Sequence, residues 1–443
     1  MLFTLKSMIK HKKRLNISDL LLLLLLFSAP SYPKTSIDSI LAIYLINNDA
    51  RAIEKVLHEC NCAEHIAPPL LDWVNAILMR QTKNYSGSIH LYRKIISEHP
   101  DWYSARLQLA TVLYMNKDIL SAEEQLRKLR SDKVYDDEAY LIDRLIKKIQ
   151  NSDAWSFSGG FTYLNERNIN NSPKSHHTIG GWRPEKAQSG KGILYWGEAE
   201  KTIALPDNFF TIARFSISGK TYWDNHSYDE LNGSISAGAG FRNINTNIKI
   251  LPFYDKSYFG GGNNTYKSGL KPYSETSGVK LETRFQLSPA WLLHSDFSWG
   301  KNIYKKRNYL DGLTYRLDET LFYAPSSRQY LFSGVSHRII TANNKDNAFN
   351  DTTLRVGWMY EWNGGISTIL QSSYGYRSYD SADFWGIRRI NHEYDTSVTI
   401  WHRDIYIWGI TPKVTWSYKR VDSNHPFYDI ERHRIFWSFS KYF

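Results

Sequence analysis

The sequence predicts α-helices and β-strands in separate domains: paired N-terminal helices, then a fourteen-stranded antiparallel transmembrane β-barrel. Three observations carry this. The hydrophobic period changes from helical to two near Trp155. The connections after that point alternate between tight and long. Aromatic residues make up 15% of the chain, with 30 Tyr and 15 Trp, and such rings gather at lipid–water boundaries.

Residues 1–31 read as a secretory signal peptide. Lys6, Lys10, Lys12, Lys13 and Arg14 precede the leucines from Leu20 to Leu26. Ala29, Pro30 and Ser31 then offer small residues for a cut near Tyr32. The apolar run is shorter than the ~20 residues a membrane-spanning helix requires. With no Cys at the cut, the expected product is not itself a lipoprotein. Export permits a disulfide, but Cys60 and Cys62 enclose one residue and so short a ring is strained. The reading is two free thiols, without metal-ligand spacing.

Residues 32–150 read as a periplasmic helical domain. Apolar residues recur at three- and four-residue steps, as in Leu70, Leu71, Val74, Ile77 and Leu78. An internal repeat of 34 residues aligns Ala76 with Ala110, Ser88 with Ala122, Tyr92 with Leu126 and Ile95 with Leu129. Small residues at the first two offsets let paired helices approach closely, and Pro100 stops a second helix. That is the tetratricopeptide (TPR) pattern, without its Trp and Gly positions. A degenerate earlier repeat is expected over 37–60. A plain antiparallel helix bundle is the alternative. Stacked helix pairs leave a concave face suited to a peptide or protein.

Residues 151–443 read as the barrel, with candidate strands from 154–164 to 432–443. The tight connections are 205–207, 242–245, 288–289, 324–329, 363–365 and 403–405. The long ones are 165–189, 222–230, 255–276, 300–312, 341–351, 377–393 and 419–431. Barrels place short turns in the periplasm and long loops outside, so both barrel ends and the helical domain are assigned to the periplasm. On the last strand, Ile435, Trp437, Phe439 and Phe443 share one side, with Lys441 the exception. Ser440, Ser438, Arg434 and Arg432 take the other. Phe443 is expected to act as the C-terminal signal for the outer-membrane barrel assembly machinery.

The net charge of +11 fits attraction to anionic outer-membrane lipid, or an acidic cargo. No Gly-rich phosphate loop, nucleophile elbow or metal-spaced cluster occurs, and His176-His177 reads as a solvated pair. The expectation is therefore no enzyme: no catalytic residues, no metal, no cofactor and no nucleic-acid partner. Glu198, Glu200, Arg355, Glu361, Lys413 and Lys419 fall on inward-facing positions, as a polar lumen requires. Gly159 and Gly160 on the first strand would weaken the closing seam with the last, or would only relieve curvature.

Two local motifs become specific beside this order of parts. The first long loop carries Glu166, Arg167, Asn168, Ile169, Asn170 and Asn171. The last hairpin carries Thr411-Pro412-Lys413-Val414, Tyr418-Lys419-Arg420, Asp422-Ser423-Asn424 and Pro426-Phe427-Tyr428-Asp429. Arg432, Arg434 and Phe443 follow. Together with the helices, these segments resemble the surface lipoprotein assembly modulators (Slam proteins) over essentially the whole mature chain. The resemblance implies delivery of lipid-anchored cargo proteins to the cell surface by a monomeric outer-membrane barrel. Some members resemble host-association factors of symbionts. It also implies functional loop positions at Asn168, Asn170, Ser423, Asn424, Phe427, Tyr428 and Asp429. The helical domain is shorter than in larger members. An exopolysaccharide export porin with periplasmic TPR helices, or a surface adhesin barrel, are the competing readings.

Overall fold

The structure, a computed structural model, describes residues 51–53, 55–56, 68–132, 136–150, 154–174, 178–179, 181–262, 269–406 and 410–440. The signal peptide, Cys60, Cys62, His176, His177 and Phe443, with most of the 37–60 repeat, lie outside the described residues.

Among the described residues, the N-terminal domain holds, after helical residues at 51–53 and 55–56, α1 (Pro68–Gln81), α2 (Tyr85–Glu98), α3 (Tyr103–Met115), α4 (Ile119–Ser131) and α5 (Asp136–Gln150). The 34-residue offset maps α1–α2 onto α3–α4. Ala76, Ser88, Ala110 and Ala122 are all buried at the helix contacts, and the Ser88 hydroxyl donates to the Ala76 carbonyl at 2.7 Å. The turns repeat as well. Lys83 and Lys117, 34 positions apart, both adopt left-handed backbone at φ 63° and 66°. Asn84 and Asp118 follow as N-caps, their side chains accepting from the amides of Gly87 and Ser121. Those turns carry no glycine, so hydrophobic periodicity alone left them unmarked.

The barrel strands are β1 (Ala154–Glu166), β2 (Gly190–Ala204), β3 (Phe209–Tyr222), β4 (Glu230–Arg242) and β5 (Thr246–Phe259). There follow β6 (Lys271–Ser288), β7 (Trp291–Tyr304), β8 (Gly312–Ser326), β9 (Gln329–Ile340) and β10 (Phe349–Glu361). The last four are β11 (Ile366–Ala382), β12 (Arg388–His402), β13 (Thr411–Ser423) and β14 (Ile430–Ser440). Each pairs antiparallel with its sequence neighbours, and β1 meets β14, so the barrel is closed. The chain is thus an outer-membrane barrel with its helices on the periplasmic side. Phe215, Ile235, Ile250, Leu354 and Val356 face outward and are more than half exposed, as a band in contact with lipid requires.

Several connections differ from the sequence expectation. The loops read at 255–276, 377–393 and 419–431 shrink to 260–270, 383–387 and 424–429. Beyond the lipid both strand faces meet water, so cross-strand pairs such as Lys256 with Glu275 replace apolar alternation while backbone pairing continues. Conversely, the connection read at 403–405 extends at least to Tyr406, and β13 is described from Thr411, the expected strand start at 407–409 lying outside the described residues. Arg403 and Tyr406 of that turn pack on the helical domain, where no period-two signal is expected.

This topology makes a labelling prediction. A cysteine at Phe384, which is 92% exposed in the β11–β12 loop, should react with a membrane-impermeant maleimide on intact cells. A cysteine at Gly364, in the β10–β11 turn, should react only after the outer membrane is opened. Labelling of the Gly364 site on intact cells would reverse the orientation.

Candidate functional site

The helical domain closes the periplasmic mouth of the barrel through charged groups that are largely buried. Arg106 on α3 and Glu361 at the end of β10 are both under 3% exposed and pair at 2.9 Å. Arg106 also donates to Gln125 Oε1 and to the Pro100 carbonyl, each at 3.0 Å. Lys128 on α4 reaches the other Glu361 oxygen at 3.1 Å. Arg403 ties the turns to the helices: it donates to the carbonyls of Trp362 at 2.7 Å and Ile366 at 2.6 Å, and to that of Ser97 on α2 at 3.0 Å. The Arg93 guanidinium lies 3.9 Å from the Tyr406 ring centroid. Arg106 stands at a buried position of α3 between Ala105 and Leu107, and a charge so placed was the signal the periodicity reading passed over.

Glu123 on α4 is a second anchor, salt-bridged to Arg127 at 2.6 Å and to Arg284 on β6 at 3.9 Å. Burial pushes its carboxyl up, but Arg127, Arg284 and the hydrogen bonds from Arg127 and Gln150 outweigh this and lower it from 4.5 to about 2. A depressed carboxyl contributes stability above its unfolded value, which is lost only as pH falls towards its folded one. Beside it, a cavity of about 430 Å³ opens between α4 and β6–β10, lined by Leu120, Leu292, His294, Phe322 and Met359 among others.

The lumen above this mouth is polar, and the six inward positions read from the sequence do face it. Glu200 pairs with Arg214 at 2.8 Å, and Lys249 lies 3.3 Å from Glu200. Arg355 donates to Ser336 at 2.7 Å and Lys419 lies 3.5 Å from Glu393. Glu198 is 3.7 Å from Arg214, and Lys413 lies under Trp401. Glu361 is covered by the helices, and Lys413 shares a small cavity with Arg106 and Lys128 beneath them.

Among the described residues, the seam between β1 and β14 has the shortest ladder in the wall. Among the described residues it pairs over Gly160–Ser440, Phe161–Phe439 and Thr162–Ser438. Every other neighbouring pair of strands is joined by at least ten such couples. Residues 163–166 and 434–437 are described strand residues that do not extend the ladder. A Cβ on Gly160 would lie 2.6 Å from the Phe439 carbonyl oxygen, so close approach of the two backbones needs glycine there. Above the three couples, side chains hold the strands: Arg434 reaches Glu166 at 2.9 Å. Lys174 donates its amide to the Asp429 carbonyl at 2.7 Å and its ammonium to Glu431.

The loop positions singled out in the sequence all lie at this extracellular end. Asn168 exchanges hydrogen bonds with Ser172, both at 2.7 Å, and Asn170 holds Lys186 and Gln188. Ser423 donates to Asn391 at 2.8 Å, and Asn424 clasps the start of β12 through Ile390 and Arg388. Phe427 and Tyr428 lie in a ring cluster around His425. Burial pushes the His425 imidazole down, against the pull of Asp383 at 2.9 Å. Asp429 contributes its carbonyl to Lys174. Asn170, Phe427 and Tyr428 come together around one cavity; Asn168, Ser423, Asn424 and Asp429 brace its loops.

Comparison with known proteins fits this architecture. Residues 155–443 match the family model described as surface lipoprotein assembly modifier, and residues 31–126 match its N-terminal TPR repeats. The chain is similar to surface lipoprotein assembly modifier 1 of Haemophilus influenzae, 37% identical over 90% of this chain and 83% of that protein. It is similar to the surface lipoprotein assembly modifier of Pasteurella multocida, 37% identical over 90% and 81%. A more distant relative, 21% identical over 83% and 77%, is the hemophilin secretion modulator of Acinetobacter baumannii. With both domains matched in order, the chain belongs to the surface lipoprotein assembly modifier family.

Proposed function

We propose that this protein moves a lipid-anchored partner protein from the periplasm to the cell surface, through a path that ends at the β1–β14 seam. The observation that supports the route is the ladder of that seam, which among the described residues has three couples and does not continue over 163–166 and 434–437. Opening it breaks few backbone bonds, and the free edges can hydrogen-bond an extended segment in transit. The closed mouth supports an order of events: the client meets the helices first, and their displacement admits it. The names of the relatives support a lipoprotein as client. Host association is the role proposed for the displayed client.

The test is protease shaving of cells that co-express a candidate lipoprotein. Deleting the barrel gene should remove the lipoprotein from the surface while leaving it in the membrane fraction. Ala110→Trp, which overpacks the α1–α4 stack at a cost of roughly 1–3 kcal/mol, should reduce display without removing the barrel. Unchanged exposure in the deletion strain would end the export reading.

A further inference from the structure

We infer that the extracellular end of the lumen holds a binding site for a carboxylate-rich, extended polypeptide segment, with Arg389 and Arg432 as its anion-binding groups. The inference rests on the export reading for the origin of that segment. The site is a cavity of about 690 Å³ enclosed by the first loop, the β11–β12 and β13–β14 hairpins, and inward-facing residues of β11–β14.

Its charge is unbalanced. Arg377, Arg389, Lys419 and Arg432 line it, against Glu185 and Glu393. Glu393 is already engaged by Arg377 at 2.9 Å and by Lys419 at 3.5 Å. Arg389 and Arg432 form no ion pair among the described residues, and the Nε of each is buried without a hydrogen-bond partner. Arg389 is held in place by rings instead. Its guanidinium carbon lies 3.7 Å from the centroids of both Tyr379 and Tyr428. Rings on the faces of a guanidinium fix its plane and leave the N–H edge for a planar anion, where a carboxylate binds in fork geometry. A cation kept in such a site without a counter-ion costs desolvation energy that a bound anion returns.

The surroundings favour a peptide over a lipid phosphate. The cationic groups point into the lumen, on the far side of the wall from the headgroups. The rim is aromatic: Trp385 lies 5.3 Å from Phe427, and Trp182 lies 6.2 Å from Trp385, offering faces for apolar side chains between acidic ones. Arg432 is also on β14, next but one to Arg434, which holds the unladdered part of the seam. A segment leaving by the seam passes directly beside it.

The experiment uses the full-length protein in detergent and a fluorescent Glu-rich peptide, read by anisotropy and by quenching of tryptophan emission. The peptide should bind, and a Lys-rich counterpart should not. Arg389→Gln and Arg432→Gln should each weaken binding by about tenfold or more, the double variant should abolish it, and Arg389→Lys should lose part of it through the lost planar fork. Arg316→Gln, removing an exposed luminal cation paired with Asp318, should leave binding unchanged. Heat-modifiable migration of each variant reports a folded barrel. Failure of the wild type to bind, or equal binding by the double variant, overturns the site. So does full displacement of the peptide by inorganic phosphate or by lipopolysaccharide micelles with the same arginine dependence, which would make it a phosphate site. The two readings fail separately: a barrel that displays its lipoprotein but ignores the peptide sinks this inference alone. Peptide binding by a barrel whose deletion leaves display intact sinks the export reading alone.

Discussion

A disulfide across the β1–β14 seam should stop surface display. Thr162 and Ser438 face one another in the last couple of the ladder, and facing residues of antiparallel strands lie within the ~4.4–6.8 Å that a disulfide spans. In a Cys60→Ser, Cys62→Ser background, Thr162→Cys with Ser438→Cys should leave barrel levels normal and reduce protease-accessible lipoprotein by about tenfold or more under oxidising conditions. Reductant should restore it. Each single cysteine should behave as the parent. A cross-linked barrel that displays its client at parental levels would move the path from the seam into the lumen. The effect should be large because a ladder of three couples among the described residues is cheap to open and one covalent bond is not.

The second large effect concerns the plug. Glu361→Ala leaves Arg106 buried without a counter-ion and Lys128 with Glu124 alone, a loss of about 3–5 kcal/mol. The helices should release from the mouth while each part stays folded. The purified variant should be cut by trypsin between the domains far faster than the parent, and cells carrying it should take up more of a normally excluded dye. Glu361→Gln, which keeps an acceptor oxygen, should fall between. Replacing Glu361, Arg106 and Lys128 together by Leu should recover much of the docking, since the pair's desolvation cost then disappears with its attraction. Parental protease resistance in Glu361→Ala would show that the ion pairs do not hold the plug.

Much of this architecture was legible in the sequence because each part has a strong period. The strands over lipid alternate, so their number and order could be counted, and the 34-residue offset placed Ala76, Ser88, Ala110 and Ala122 at buried helix contacts. What escaped notice follows from the same physics. Strand ends beyond the lipid lose the apolar alternation, so 255–276 read as loop although half of it is strand. Arg403 and Tyr406, which follow β12, are placed by the helices they dock on rather than by a local pattern. The Arg106–Glu361 pair joins residues 255 apart, and Arg389 sits between two tyrosines of neighbouring hairpins, so no local pattern marks them. Asn170, Phe427 and Tyr428 could be picked out as loop motifs, but their meeting around one cavity is a product of barrel closure.

The bonds from Arg403 to Ser97 and from Arg106 to Glu361 span 306 and 255 residues. Contacts of such separation form late. The helices leave the ribosome first, yet the surface that receives them is built from β10 and from the β12–β13 turn. A newly inserted barrel therefore passes through a stage in which it is complete enough to conduct and not yet corked. Cells must keep that stage short, and slow maturation of this protein should show itself as a transient leak across the outer membrane.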